Sequence, residues 1–481
     1  MNLRAVIGFT GLLLYVVAMC LGLPLAQAAW DDDPTATMAY ATALAVTLAI
    51  AGALRAGGRD AEGDLHRKDA MGIVGLTWLL LGLLGALPLM LDGAIKDPAG
   101  ALFEAASGFT TTGATVVADV DGLSRATNLW RCLMHWIGGM GIVVLFVAVF
   151  PQLGVGAKQL FRTEVPGLPS EGLRPRIRET ASSLWWIYSS LTALCALLLW
   201  LEGMGAYDAI CHAFSTLGTG GFSTRTASLG AWSSPLIHWT VSVFMLLAGL
   251  NFGLYYSVLR GRWRDALQDS ELRFYLAFNA LLIGILTVLL VPTHGIHEAT
   301  VQEAAFQVLA VTTTTGFMTA DFDTYPDLAR FLLLLAMFMG GCAGSTAGGL
   351  KAARVVLLIR VVLREIRATV QPHSVMALRL GRRVVPEPVV TGVLIFMATF
   401  MGLFALATVS LTAMGVDLMT ALSASVACLS SIGPGLDGVG PTQNYAAIPG
   451  AGKLILSLLM LAGRLELFAL FALFTPEVWR R

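Results

Sequence analysis

The chain has 481 residues, 56% of them hydrophobic and 13% charged, with a mean hydropathy of +0.74. Soluble proteins carry about 25% charged residues, so this composition excludes a soluble globular protein and points to a polytopic membrane protein. Lys and Arg match Asp and Glu at 31 each, so net charge says nothing and only the placement of charge is informative.

Apolar runs of about 20 residues, each long enough to cross a bilayer, predict ten spans. They fall at 5–27, 37–55, 71–93, 126–150, 183–202, 234–259, 274–293, 328–350, 386–412 and 451–476. The first follows Arg4 and ends near Ala26-Gln27-Ala28, which looks like a signal-peptidase site. Its apolar run exceeds the usual core of about 7–15 residues in a signal peptide, so it reads as an uncleaved span. The predicted fold class is an all-α polytopic membrane protein. Four membrane–pore-helix–membrane repeats (71–150, 183–259, 274–364 and 386–476) surround a central pore, and residues 1–55 add an N-terminal two-helix hairpin.

Between the spans lie four short apolar segments at about 99–110, 206–218, 299–313 and 417–430. At about 1.5 Å per residue none crosses a membrane as a helix. Each runs into a glycine loop: Thr111-Thr112-Gly113-Ala114, Thr219-Gly220-Gly221-Phe222, Thr315-Gly316-Phe317 and Ile432-Gly433-Pro434-Gly435. The reading takes Gly113, Gly220, Gly316 and Gly433 as equivalent. Irregular backbone at membrane depth survives only where it is buried in protein or lines a wet cavity. One such loop is an ordinary re-entrant turn; four at matching positions argue for a shared axis. There, backbone carbonyls can replace the water shell of an alkali cation. The half-helices would point their partly negative C-terminal ends at it. The ion ligands expected are Thr111, Thr112, Thr219, Gly220, Thr315, Gly316, Ile432 and Gly433, with Gly113, Gly221, Phe317 and Pro434 completing the filter.

Charge placement orients the chain. The loops 55–68, 158–178, 260–273 and 351–383, with Arg4, Arg480 and Arg481, hold 24 of the 31 Lys and Arg residues. The positive-inside rule puts them, and both termini, in the cytoplasm. Orientation alone accounts for these short basic loops, so no nucleic-acid site is expected; a docking surface for a soluble partner is compatible. The six scattered cysteines form no CxxC pair, and His294 and His297 lack a third ligand of metal-site spacing. The run Gly344 to Lys351 lacks the Gly-Lys-Ser/Thr of a phosphate loop. No catalytic constellation and no cofactor are expected.

Two features stand out below the loops. Residues 340–349 hold Gly340, Gly341, Gly344, Gly348 and Gly349 with Ser345 and Thr346, a poor helix within an expected span. It reads either as a gate or as close small-residue packing. Arg464 lies deep in the last span, where a charge costs at least about 2.5 kcal/mol on insertion scales. It faces either the pore or a structural partner on another helix.

The residues resemble the TrkH/KtrB superfamily of potassium transporters over essentially the whole length. The motifs are Trp130-Arg131 leading to His135-Trp136-Ile137-Gly138-Gly139-Met140-Gly141, Cys211 to Thr216, Gly221-Phe222-Ser223-Thr224, Gly249 to Gly253, Gly340 to Thr346, and Gly463-Arg464-Leu465-Glu466. The hairpin at 1–55 is similar to the TrkH branch. This resemblance implies potassium uptake across the bacterial inner membrane, a homodimer with one pore per protomer, and a cytoplasmic nucleotide-binding ring protein (TrkA-like) as regulatory partner. It implies that 340–349 is a gate loop beneath the filter and that Arg464 reaches the pore. Each loop departs from the Thr-Val-Gly-Tyr-Gly filter of tetrameric channels, so fewer carbonyl rings and weaker selectivity are expected. A sodium-coupled or less selective transporter, and a non-conducting scaffold or sensor, are the competing readings.

Overall fold

The computed structural model describes residues 1–59, 67–141, 177–371, 378–380, 383–465, 467 and 475. Seventeen α-helices and one two-residue strand pair, Arg379–Leu380 with Arg383–Val384, occur among them. Among the described residues, six helices are long and apolar enough to cross a membrane. The tail of the first inner segment (142–150), most of the basic loop 158–178, parts of 55–68 and 351–383, and most of 466–481 lie outside the described residues.

The N-terminal hairpin is Leu3–Trp30 and Pro34–Gly57. Asp33 caps the second helix by accepting from Ala36 N, with Pro34 in the first turn, a position that needs no N–H. Gly11 lets the two helices touch, since a Cβ there would meet the Ala51 carbonyl. Tyr40 Oη lies 3.0 Å from Thr127 Oγ1, which donates to Asp92 at 2.6 Å; these bonds dock the hairpin on repeat 1.

Each repeat has an outer helix, a pore helix and an inner helix. The outer helices are Arg67–Leu91, Ile177–Leu201, Ser270–His294 and Glu387–Ala413. The pore helices are Pro98–Phe109, Ala206–Gly218, Glu298–Thr312 and Leu418–Leu429, within two residues of the sequence expectation at each end. They are largely apolar, and those of repeats 1, 3 and 4 are buried over most of their length, as helices surrounded by protein must be. Asp97 and Asp417 cap two of them by accepting from first-turn N–H groups.

The inner helices depart from the expected continuous spans. Repeat 1 has Arg125–Gly139. In repeat 2, Pro235–Ala248 and Phe252–Leu259 meet at a 91° bend, so 234–259 is a broken segment and not one straight span. In repeat 3 the helix Asp327–Ala336 stops ahead of Gly340 and resumes as Ala352–Val370. In repeat 4 the helix runs Gly450–Arg464, which puts Arg464 in its last turn.

Candidate functional site

The four pore helices end in one local motif. The N–H groups of Thr112, Gly220, Thr315 and Ile432 bond back to the carbonyls of Ser107, Ser215, Ala310 and Ala427 at 2.8–2.9 Å. The residues just before them, Thr111, Thr219, Thr314 and Ser431, have φ of 54–58°. This is the left-handed C-terminal cap, here on Thr and Ser, where the conformation is costly. The residues just after, Gly113, Gly221, Gly316 and Gly433, have φ of 75–99°.

This geometry corrects the expected register. In repeat 2 the equivalent glycine is Gly221, because Gly220 does not have positive φ. In repeat 3 the left-handed cap is Thr314, and Thr315 takes the middle position. Two adjacent glycines at 220 and 221 left repeat 2 ambiguous. The shared Gly-Phe pairs at 221–222 and 316–317 carry the correct alignment.

The loops close into a ring. A Cβ at Gly113 would run into the carbonyl oxygen of Gly220; at Gly221, that of Thr315; at Gly316, that of Ile432; at Gly433, that of Thr112. Each glycine thus abuts the carbonyl of the next repeat, in the order 1–2–3–4 and back to 1. The twelve residues expected to form the filter therefore come together. The outer side of the ring opens into a vestibule lined by Ala114, Phe222, Met318, Pro434 and Tyr445.

Side chains brace the ring from behind. Thr110 and Thr112 hydroxyls lie 2.8 Å apart, and Thr313 and Thr315 repeat the pair at 2.7 Å. Arg131 Nε donates to Glu104 Oε1 at 2.8 Å, with both side chains buried. Its guanidinium lies 4.1 Å over the Phe222 ring. Glu104 also accepts from Thr115 Oγ1 and Val116 N, each at 2.9 Å. His135 stacks on Phe222 at 4.1 Å and fills the space a Cβ at Gly220 would need. Sequence reasoning quoted Arg131 and His135 without a role and passed over Glu104. The signal was an acid, Glu104, inside the first pore helix and a base, Arg131, inside the helix that follows it.

Outside the ring, rim contacts join neighbouring repeats. Asp121 accepts from Thr226 N at 3.0 Å, and the bonds from the Thr226 N–H and hydroxyl hold its carboxyl below the usual range. Gly230 N donates to Met318 O at 3.2 Å. Asp437 N donates to Asp323 Oδ2 at 2.8 Å, and burial pushes the Asp323 carboxyl up despite that bond. Tyr445 N donates to Thr115 O at 2.8 Å.

The glycine-rich loop sits against the inner side of the ring. Gly340, Gly344 and Gly349 have φ of 71–78°, which favours glycine there. Gly348 N donates to Thr314 Oγ1 at 2.7 Å, and a Cβ on Gly348 would meet the Ser430 carbonyl. The loop also docks into the break of repeat 2. Cys342 N donates to Gly249 O at 2.9 Å, Thr346 Oγ1 to Ala248 O at 3.1 Å, and Phe252 N to Gly344 O at 3.0 Å. Glu271 Oε1 accepts from Ala343 N at 2.6 Å and Ala353 N at 3.0 Å. Arg464 donates to Thr346 O at 2.7 Å, to Gly139 O at 2.8 Å and to Gly138 O. It therefore ties the loop to the end of the first inner helix.

Comparison with known proteins agrees with this geometry. The family model TrkH, described as a cation transport protein, matches residues 36–480. The chain is 41% identical to the Trk system potassium uptake protein TrkH of Halomonas elongata and 40% identical to that of Escherichia coli K12, each over the full length of both chains. The crystal structure of the potassium transporter TrkH from Vibrio parahaemolyticus superposes with a TM-score of 0.89 at 36% identity, covering all of both chains.

Proposed function

The chain belongs to the TrkH family of cation transport proteins, and from that premise we propose that it takes up potassium across the bacterial inner membrane through the carbonyl ring, gated by the glycine-rich loop. The observation that carries this reading is the ring itself: four glycines, each seated on the carbonyl of the next repeat. Alternating backbone handedness along each loop turns successive carbonyls to one side, and such carbonyls replace an ion's hydration shell. The four pore-helix C-termini add partial negative charge at the same point. Together these favour a dehydrated monovalent cation. Relatives named as potassium uptake proteins make potassium the ion.

Under this reading the ion leaves the outer vestibule, crosses the ring and meets the loop 340–349. The loop touches the filter from below through Gly348 and is pinned by Arg464 and Glu271. Moving it aside is the gating step. Relatives are named as parts of a Trk system, which supports a cytoplasmic nucleotide-binding partner acting on the chain; a homodimer and cytoplasmic termini complete the proposal.

Growth on low potassium tests it. The chain, expressed in a bacterium lacking potassium uptake, should restore growth, and Rb⁺ uptake should be displaced by K⁺ far better than by Na⁺. Membrane-inserted protein that restores nothing, with and without the partner, refutes the reading.

A further inference from the structure

Loops 1 and 3 of the ring are braced by hydroxyl pairs, Thr110 with Thr112 and Thr313 with Thr315. In loop 2 the middle residue is Gly220, backed by the His135 ring. Loop 4 has neither device. Its middle residue is Ile432, and the Ser430 and Ser431 hydroxyls have no hydrogen-bond partner among the described residues. Its glycine also differs, with φ of 99° at Gly433 against 75–80° in the other three. Pro434 follows it and supplies no N–H for a local bond.

What holds loop 4 is Tyr445. Its hydroxyl donates to the Gly433 carbonyl at 2.7 Å, in a buried position. Its N–H donates to Thr115 O of repeat 1 at 2.8 Å. Its ring lies 5.1 Å from that of Phe103 on the first pore helix, and the Cys428 thiol lies against the same hydroxyl. One residue therefore fixes a filter carbonyl of repeat 4 relative to the filter strand and pore helix of repeat 1, at the seam where the ring closes.

We propose that Tyr445 is a specificity-determining residue, its hydroxyl setting the orientation of the Gly433 carbonyl and so the K⁺ over Na⁺ preference of the fourth quadrant. This rests on the reading of the ring as a cation filter. A smaller ion is rejected only if the carbonyls resist closing around it. The loop with the fewest local braces needs the external one most.

The test is Rb⁺ uptake by cells expressing the full chain, with K⁺ and Na⁺ as competitors, for wild type and Tyr445→Phe. The phenyl ring preserves the packing on Phe103 and the backbone bond to Thr115. The K⁺/Na⁺ competition ratio should fall about two- to tenfold, the factor one neutral hydrogen bond is worth. A purely structural role would lower membrane protein and rate and leave the ratio alone, which overturns the proposal. If Tyr445→Phe does not reach the membrane, 3-fluorotyrosine at this position keeps the shape and donates more strongly. The ratio should then rise, and an unchanged ratio overturns the proposal. If wild type itself shows no preference for K⁺ over Na⁺, the filter reading falls. If wild type discriminates and Tyr445→Phe does so equally, only the role of Tyr445 falls.

Discussion

Arg464 ends its helix and spends its donors on three carbonyls, two at the end of the first inner helix and one on the loop. A cation at a helix C-terminus is favourable, which lessens the cost expected for a charge at this depth. The residue thus ties the loop to the first inner helix and also places a positive charge beside the loop. Lysine keeps the charge but not the planar fork, so two variants separate the roles. Arg464→Gln should raise Rb⁺ uptake measured without the cytoplasmic partner by about tenfold or more, given about 1.5–3 kcal/mol per charged hydrogen bond. Arg464→Lys should match Arg464→Gln if the fork holds the loop, and match wild type if charge alone throttles flux. The filter glycines give a second test at this scale. Gly220→Ala collides with the His135 ring, whereas Gly221→Ala strains a backbone at φ +80°. Adding His135→Ala should restore part of the K⁺/Na⁺ ratio to Gly220→Ala and none to Gly221→Ala, where about 1–2 kcal/mol of left-handed strain persists. Equal rescue of both would show that the register assigned here is wrong. The sequence carried the positions of the four glycine loops but not this register. Left-handed φ at Thr111, Thr219, Thr314 and Ser431 follows from how each helix terminates, and no residue type announces it.

At the scale of elements, the pore helices were legible because an apolar segment too short to span, running into a glycine loop, has few alternatives. The break at Gly249–Asn251 was not. Hydropathy stays high across it, and a lone glycine is tolerated in a helix at about 1 kcal/mol. The bend exists because the freed groups of residues 248–252 are taken up by the glycine-rich loop, a partner about 95 residues away in sequence. The interruption in repeat 3 was legible by composition, since five glycines in ten residues cannot sustain a helix. Its anchors were not, because Glu271 lies on a different helix altogether. That carboxylate holds Ala343 within the loop and Ala353 in the first turn of the helix that follows, so it clamps the loop to that helix. Glu271→Ala should therefore raise partner-independent Rb⁺ uptake, and Glu271→Gln, which keeps a neutral acceptor, should do so less. Uptake in Glu271→Ala that still needs the partner as wild type does would remove Glu271 from the gate.

At the scale of the whole molecule, the ring and the loop are held by different parts of the structure. The ring is closed from outside, by Asp121 with Thr226, Gly230 with Met318, Asp323 with Asp437, and Tyr445 with Thr115. The loop is held from inside, by the break in repeat 2, Glu271 and Arg464. The bond from Gly348 N to Thr314 Oγ1 joins the two. A structure built this way lets the loop change without rebuilding the ring. Deleting Ala343 to Ala347 removes the loop's bonds to Glu271, the Ala248 carbonyl and Arg464, but leaves Ala353 on Glu271 and keeps Gly348 beneath Thr314. The deletion should give a pore that conducts Rb⁺ without the cytoplasmic partner, at a K⁺/Na⁺ ratio within about twofold of wild type, because every rim contact and all four glycine–carbonyl contacts remain. Flux that stays fully dependent on the partner would place the gate elsewhere. Flux that appears but has lost its K⁺ preference would mean that the loop, through Gly348, is part of the filter and not only its gate.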